Sequence, residues 1–177
     1  MRCLITFLMI AVVLFPAPLR VDCSNSPGGR AVQVTSLSPN EFPELALGIR
    51  QYLLRNRYLI PQVEEITRRH NVISGRFRHR DKHDVAVLCS RNGFSEILIF
   101  WGGSPRMRSS IARKGDDPMR YITAVGSKYI LDHARSYGGP HPPRVLDRDG
   151  IEDGWAGKGS MIWYLQRGRW RELQGAD

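Results

Sequence analysis

Apolar and polar residues alternate along NVISGRFRHR, which spans residues 71–80. In an extended strand, successive side chains point to opposite faces of the sheet. One face of this segment therefore carries Ile73, Gly75, Phe77 and His79, and the other carries Arg76, Arg78 and Arg80. The alternation predicts a strand with an apolar underside and a basic outer face.

Two apolar runs, residues 84–90 (DVAVLCS) and 95–101 (SEILIFW), predict two further strands. Asn92 and Gly93 lie between them. Asn-Gly is the strongest short hairpin signal, because both residues tolerate the positive φ angles that a two-residue turn needs. We therefore expect these two strands to pair antiparallel.

Residues 161–165 and 170–173 flank the turn sequence QRGR and predict a C-terminal hairpin. Trp163 and Trp170 would then be candidates for a cross-strand aromatic pair. The segments 102–118 and 119–131 give weaker signals. The first is rich in Gly, Pro and charge and predicts a loop, and the second fits a strand or mixed structure.

Helical periodicity precedes the strands. Leu45, Ile49, Tyr52 and Leu53 recur at helical spacing, which predicts a helix over residues 43–57 that ends before Pro61. One helix followed by mostly antiparallel strands predicts an α+β fold, with an N-terminal helix packed on a sheet that ends in a C-terminal hairpin.

The chain opens with a basic start and an uncharged apolar run over residues 3–15, followed by prolines. This length suits a secretory signal and is short for a membrane span, although an uncleaved anchor remains an alternative. We predict a signal peptide over residues 1–23, a flexible leader over 24–40 that is rich in Ser, Pro and Gly, and a single domain over 41–177. The expected location is secreted or periplasmic.

Cysteine usage is sparse, and no Cys/His spacing typical of a zinc site occurs. In an oxidising compartment, Cys23 and Cys89 could form a disulfide bond. The alternative, which we favour, is that Cys89 within VAVLCS is a small buried hydrophobic residue.

The formal net charge is +9, with 26 Lys and Arg residues against 17 Asp and Glu. The positive charge concentrates around the first predicted strand, in a basic ridge formed by Arg76, Arg78, Arg80 and Lys82. Such a ridge predicts an anionic partner, either a polymer or a surface, and nucleic acid is the least favoured because no nucleic-acid-binding motif occurs. The alternative is an ordinary solvated face of a half-buried strand.

The loop sequence VLDRDGIEDG spaces Asp147, Asp149 and Asp153 around Gly150, which predicts a calcium site. The pattern departs from an EF-hand, because Lys158 stands where the bidentate glutamate belongs and Arg148 lies inside the loop. In the alternative, Asp147 or Asp149 caps a short helix through GIEDGWAG.

The segments ISGRFRHRDKHDVAVLCSRNGFSEILIFWGGS, LDRDGIEDGW and GRWRELQGAD together resemble a group of uncharacterised exported bacterial proteins. More distantly, SGRFRHRDKHDVAVL is similar to a single FG-GAP or VCBS unit of a β-propeller. That likeness runs through Gly75, Phe77, Asp84, Ala86 and Val87. It implies a strand–loop–strand, but not the metal site of the unit, because arginines replace its calcium ligands.

The sequence contains no nucleophile elbow, zinc-protease motif or phosphate-binding glycine loop. We therefore predict a non-catalytic binding or structural module of unknown ligand, with calcium as its one candidate cofactor. The alternative is a small exported hydrolase of unknown substrate. A pocket that joins His133 or His83 to Cys89 or Ser90 would favour that alternative.

Overall fold

The computed structural model of the chain describes residues 34–138 and 142–175, which belong to one compact unit. These residues form ten strands, two α-helices and two short 3-10 helices. The strands are β1 Thr35–Leu37, β2 Ile60–Gln62, β3 Val72–His79, β4 Lys82–Arg91, β5 Phe94–Phe100, β6 Arg108–Gly115, β7 Arg120–Val125, β8 Gly150–Trp155, β9 Ser160–Gln166 and β10 Arg169–Gln174. The helices are α1 Leu47–Arg55 and α2 Ser127–Tyr137, and the 3-10 helices are Pro39–Glu41 and Trp101–Gly103.

The strands form three antiparallel sheets. β1 and β2 pair with each other, β3 to β6 form a second sheet in chain order, and β7 to β10 form a third sheet in chain order. Each strand of the two larger sheets pairs with its neighbour in the sequence, and short connections join these neighbours except at β7 and β8, between which α2 lies.

Both predicted hairpins are confirmed. Arg91 pairs with Phe94 across Asn92 and Gly93, whose φ angles are 55° and 78°. Gln166 likewise pairs with Arg169 across a two-residue turn in which both φ angles are positive. Positive φ at both central positions belongs to the turn type whose twist matches that of antiparallel strands.

The two helices and the two large sheets form four layers, and an apolar cluster fills each of the three interfaces between them. α1 packs Ile49 and Leu53 against one face of the β3–β6 sheet. The other face of that sheet packs against the β7–β10 sheet, where Phe77 meets Ile151 in a common core. α2 contributes Ile130 to a third cluster on the outer face of the β7–β10 sheet. The order is therefore helix, sheet, sheet, helix.

A buried ion pair joins the two large sheets. Arg120, only 1% exposed, begins β7 and donates from Nε and Nη2 to the two carboxylate oxygens of Asp153 on β8, at 2.7 and 3.0 Å. The guanidinium also reaches the β3–β6 sheet, where Nη1 donates to Ser95 Oγ at 2.9 Å and Nη2 donates to the Ala112 carbonyl at 2.7 Å. Every charged atom of this pair thus has a partner, which is the condition under which a buried ion pair is tolerated.

The predicted α+β class is wrong. The described residues are mostly β, and α1 is not the first element, because β1 and the 3-10 helix at Pro39–Glu41 precede it. β1 lies within the segment 24–40 that the composition assigns to a flexible leader, and the 3-10 helix begins there. The predicted signal peptide, with Cys23, lies outside the described residues.

The remaining differences lie in the weakly patterned segments. The predicted loop over residues 102–118 contains β6, an edge strand on which only Ile111 is buried, so its sequence is polar. Residues 127–137 form α2, and GIEDGW forms strand β8 rather than the predicted capped helix. Trp163 and Trp170 do not pair directly. Trp163 lies opposite Glu172, and Trp170 stacks on Trp101 at a centroid distance of 6.1 Å.

Candidate anion-binding cleft

The basic ridge follows the β3–β4 hairpin rather than a single strand face. Arg76 and Arg78 are exposed and alternate with buried residues on β3, which confirms the predicted alternation there. Arg80 lies in the turn, and Lys82 begins β4. All four side chains of the ridge are exposed.

An irregular register shapes the end of β3. Gly75 lies opposite Asp84, and His79 lies opposite Lys82, so the pairing with β4 is interrupted between these two points. The Asp84 carboxylate, 2% exposed, fills the gap by accepting the backbone N–H of Arg78 at 3.0 Å and that of Gly102 at 2.7 Å. Asp84 thereby positions the strand that carries the ridge.

The loop before β8 is hydrogen-bonded to the backbone of β3. The Asp149 carboxylate accepts the backbone N–H of Arg76 at 2.8 Å, and the Asp149 backbone N–H donates to the Arg76 carbonyl at 3.2 Å. One residue earlier, Arg148 Nη1 donates to the carbonyl of Arg78 at 2.8 Å. These contacts bring Arg148 beside the ridge.

A cavity of about 920 Å³ lies between this loop and the β9–β10 hairpin. Five of its lining residues are arginines: Arg144, Arg148, Arg167, Arg169 and Arg171. Asp147 is the one acidic residue among those that line it. We call this cavity the cleft. Three segments supply its walls, namely the loop before β8, the end of β9 and the start of β10.

A second cavity of about 390 Å³ adjoins the cleft and reaches the ridge through Arg78 and Arg80. Asp147, Arg148 and Leu165 line both cavities, so the two are continuous along one surface. The predicted ridge is thus one end of a longer basic surface, and Arg148 lies where its two parts meet.

Most of these arginines are not neutralised by acids. Within the described part of the chain, Arg80 and four of the cleft arginines form no ion pair, these being Arg144, Arg167, Arg169 and Arg171. In addition, Arg171 Nε is buried with no hydrogen-bond partner among the described residues. An unsatisfied buried donor is unfavourable. The guanidinium groups therefore keep their capacity to bind an external anion.

Asp147 is the internal counter-ion of this surface. Its Oδ1 accepts a hydrogen bond from Arg148 Nε at 3.1 Å. This hydrogen bond, together with the positive charges of Arg148 and Arg80, lowers the pKa of the Asp147 carboxyl below its ordinary value. Asp147 consequently remains ionised and offsets part of the positive charge at the centre of the surface.

The three predicted calcium ligands are held apart by different cations. Asp147 pairs with Arg148, Asp149 binds Arg76, and Asp153 is fully buried against Arg120. Across residues 34–138 and 142–175, no group of three or more His, Cys, Asp or Glu side chains could hold a metal ion. The calcium site stays a prediction, and the observed geometry supplies no assembled ligand set for it.

The candidate catalytic residues do not form a catalytic arrangement. Cys89 is fully buried, and burial raises the pKa of its thiol. The Ser90 hydroxyl donates to Asp116 at 2.6 Å, and His133 Nε2 donates to the Gln174 carbonyl at 2.7 Å. Hydrogen bonds among the described residues do not join His133 or His83 to Cys89 or Ser90.

Sequence reasoning missed the cleft itself. Arg167, Arg169 and Arg171 alternate along QRGRWR, a sequence whose spacing predicts the hairpin and also places Arg169 and Arg171 on one face of it. Arg144 precedes the aspartates of the calcium motif, and Arg148 lies between two of them, so the local pattern indicates a cation site rather than a basic surface. No local pattern indicates that these two groups of arginines meet.

Comparisons with family models, curated proteins and solved structures found no match to this chain. The residues that carry the likeness to the FG-GAP or VCBS unit lie on β3 and β4, and the likeness stays a prediction. Among the described helices, none combines the length and the apolar composition needed to cross a membrane.

Proposed function

We propose that this protein is an exported, non-catalytic binding module that binds an acidic polysaccharide along the cleft and the adjoining ridge. The observation that carries the proposal is the set of five arginines lining one cavity with a single acid among them. The predicted secretory signal supports a secreted or periplasmic location and favours a polysaccharide over nucleic acid as the anionic polymer.

The residue type supports recognition of oxyanions. A guanidinium group is planar and carries parallel N–H donors that match the two oxygens of a carboxylate or sulfate. It is also less strongly hydrated than an ammonium group, so less hydration is lost on contact. The cleft is lined by arginine and contains no lysine among its lining residues, which suits binding through paired hydrogen bonds.

The shape of the surface supports a chain-like ligand. The cleft and the ridge cavity share Asp147, Arg148 and Leu165, so their basic groups follow one another from Arg171 to Arg80. A single small anion would occupy only one part of this surface. A linear polymer with repeated charges can contact several arginines at once, and linked contacts strengthen binding by raising the effective concentration of each next contact.

The test compares two triple variants with the same change of net charge. Arg144, Arg167 and Arg169 are replaced by Ala in the cleft variant, and exposed Arg55, Arg68 and Arg69, which line neither cavity, are replaced in the control. The purified proteins are bound to immobilised heparin and eluted with salt. We expect the cleft variant to elute at clearly lower salt than both the control and the parent chain.

Equal elution of the two variants would show that net charge alone governs retention and would overturn the proposal. A second experiment measures binding of the parent chain to dextran sulfate, to polygalacturonate and to a single-stranded oligonucleotide that carries the same number of charges as these polymers. Tighter binding to the oligonucleotide would overturn the assignment to a polysaccharide. Replacing Arg76, Arg78 and Arg80 by Ala tests the ridge in the same assay, with a smaller decrease expected, because Arg76 is already bonded to Asp149.

A further inference from the structure

A separate cavity of about 430 Å³ lies at the opposite end of β9 from the cleft. Its walls come from the end of β8, the turn after it and the start of β9, with Trp155 and Met161 as the apolar part. It shares no lining residue with the cleft or with the ridge cavity. Any ligand that it binds is therefore recognised by a different set of residues.

The indole of Trp155 forms an accessible wall of this cavity. Trp155 is partly exposed, and the Lys114 ammonium lies 4.2 Å from the centroid of its ring. The Lys114 side chain is itself 43% exposed and lies 3.8 Å from the buried Asp153 carboxylate. The residue that covers this face of the indole is thus a long, partly solvated side chain and not a packed apolar one. A ligand that stacks on this face displaces Lys114.

The rim of the cavity carries hydrogen-bonding groups with free capacity. Asp117 Oδ1 accepts the Met119 backbone N–H at 2.9 Å, whereas its Oδ2 forms no hydrogen bond with a described residue. The side-chain amide of exposed Gln174 likewise has no partner within residues 34–138 and 142–175. Lys158, in the turn after β8, adds an exposed ammonium group.

We propose that this cavity binds one pyranose ring of a sugar acid. The apolar C–H face of the ring lies on the indole of Trp155, and ring hydroxyls bond to Asp117 and Gln174. The carboxylate of the sugar acid pairs with Lys158. A sugar combines an apolar face with several adjacent hydroxyl donors, and the accessible indole and the free acceptors of this cavity match that combination.

The assignment is independent of the function proposed for the cleft. It requires none of the cleft arginines, and the cleft requires neither Trp155 nor Asp117. Either proposal can therefore fail while the other holds. The two classes of variant separate them experimentally.

The experiment is saturation-transfer NMR on the full chain with glucuronate, glucose and adenosine monophosphate as the probes. We expect saturation of the ring protons of glucuronate, with weaker binding of glucose. Trp155→Ala should weaken glucuronate binding by about tenfold. Lys158→Gln, at an exposed turn position, should bring the affinity for glucuronate down to that for glucose.

The controls are the cleft variant Arg144/Arg167/Arg169→Ala, which should bind glucuronate like the parent chain, and a thermal unfolding scan of every variant. Asp117→Asn keeps the acceptor for Met119 and tests the site should Trp155→Ala fail to fold. Three outcomes would overturn the inference: no saturation of either sugar, unchanged binding in both Asp117→Asn and Lys158→Gln, or preferential binding of adenosine monophosphate.

Discussion

Arg120 and the arginines of the cleft are the same residue type in opposite surroundings. Arg120 is 1% exposed, and its guanidinium donates to Asp153, Ser95 and Ala112. The cleft arginines stand around a cavity of about 920 Å³ in which Asp147 is the one lining acid. In the first region the protein supplies the acceptors for the guanidinium, and in the second it leaves most of the acceptors to be supplied from outside.

The contrast teaches that a high arginine content does not by itself identify a binding site. Arg76 belongs to the predicted ridge, yet Asp149 binds both its backbone and its side chain. Arg169 lies outside the predicted ridge and has no acidic partner among the described residues. The partners of an arginine, rather than its position in a basic sequence, decide whether it is structural or available to a ligand.

The largest expected effect concerns the buried pair. Asp153→Ala leaves the buried Arg120 charge without its carboxylate, and we expect the free energy of unfolding to fall by about 3–5 kcal/mol. Urea unfolding measures this change. Asp132→Ala is the matched control, because Asp132 pairs with exposed Lys128 and Arg135, and exposed ion pairs contribute little to stability. Similar losses in the two variants would contradict the structural role assigned to Arg120.

The next largest effect is a difference in polymer binding between variants of two arginines on the basic surface, Arg169 and Arg76. Arg169→Ala should weaken binding to dextran sulfate by roughly two- to fivefold without a loss of stability, since an exposed charge contact contributes about 0.2–1 kcal/mol. Arg76→Ala should change binding less, because Asp149 already binds Arg76. Isothermal titration at one salt concentration compares the two variants. A larger loss of binding for Arg76→Ala would contradict this division between the two arginines.

A smaller effect, in the opposite direction, is expected for the internal counter-ion. Asp147→Asn removes the negative charge beside Arg148, so binding of dextran sulfate should become about two- to threefold tighter. Asp132→Asn is the control, because Asp132 is partly exposed and lines neither the cleft nor the ridge cavity. Unchanged or weaker binding in Asp147→Asn would show that Asp147 does not oppose the ligand.

The same residue predicts a pH dependence. Arg148 and Arg80 lower the pKa of Asp147, so its carboxylate stays charged until the pH falls below the ordinary aspartate range, about 4. Protonation below that range releases Arg148, and the affinity for a sulfated polymer, whose own charge does not titrate there, should rise. Other carboxylates of the chain are also protonated in this range. The rise in affinity with falling pH should therefore be larger in the parent chain than in Asp147→Asn.

The smallest expected effect concerns calcium. Because Asp149 and Asp153 are bound by Arg76 and Arg120, we expect millimolar calcium to leave the midpoint of thermal unfolding unchanged relative to chelator. A ligand that binds only the folded state must raise that midpoint. A rise that Asp149→Asn abolishes would restore the calcium site predicted by the sequence.

Local signals predict the parts of the fold in which neighbouring residues determine the structure. Asn92 and Gly93 predict their hairpin, because the turn depends on the φ angles of these two residues alone. α1 lies inside the predicted helix, because its buried Ile49 and Leu53 follow helical spacing. The pattern fails at α2, where strand β7 and the helix run together in the sequence with only Gly126 between them.

The sequence alone determined the strand alternation, the two hairpin turns, α1 and the positive charge of the chain, since each follows from adjacent residues or from composition. Only the tertiary structure decided that the acids of GIEDGW lie on a strand, with Asp153 turned to a buried arginine. It also decided that arginines from residues 144–148 and 167–171 surround one cavity. The physical reason is that partners distant in the sequence determine the burial and the charge balance of a side chain, and folding alone brings those partners together.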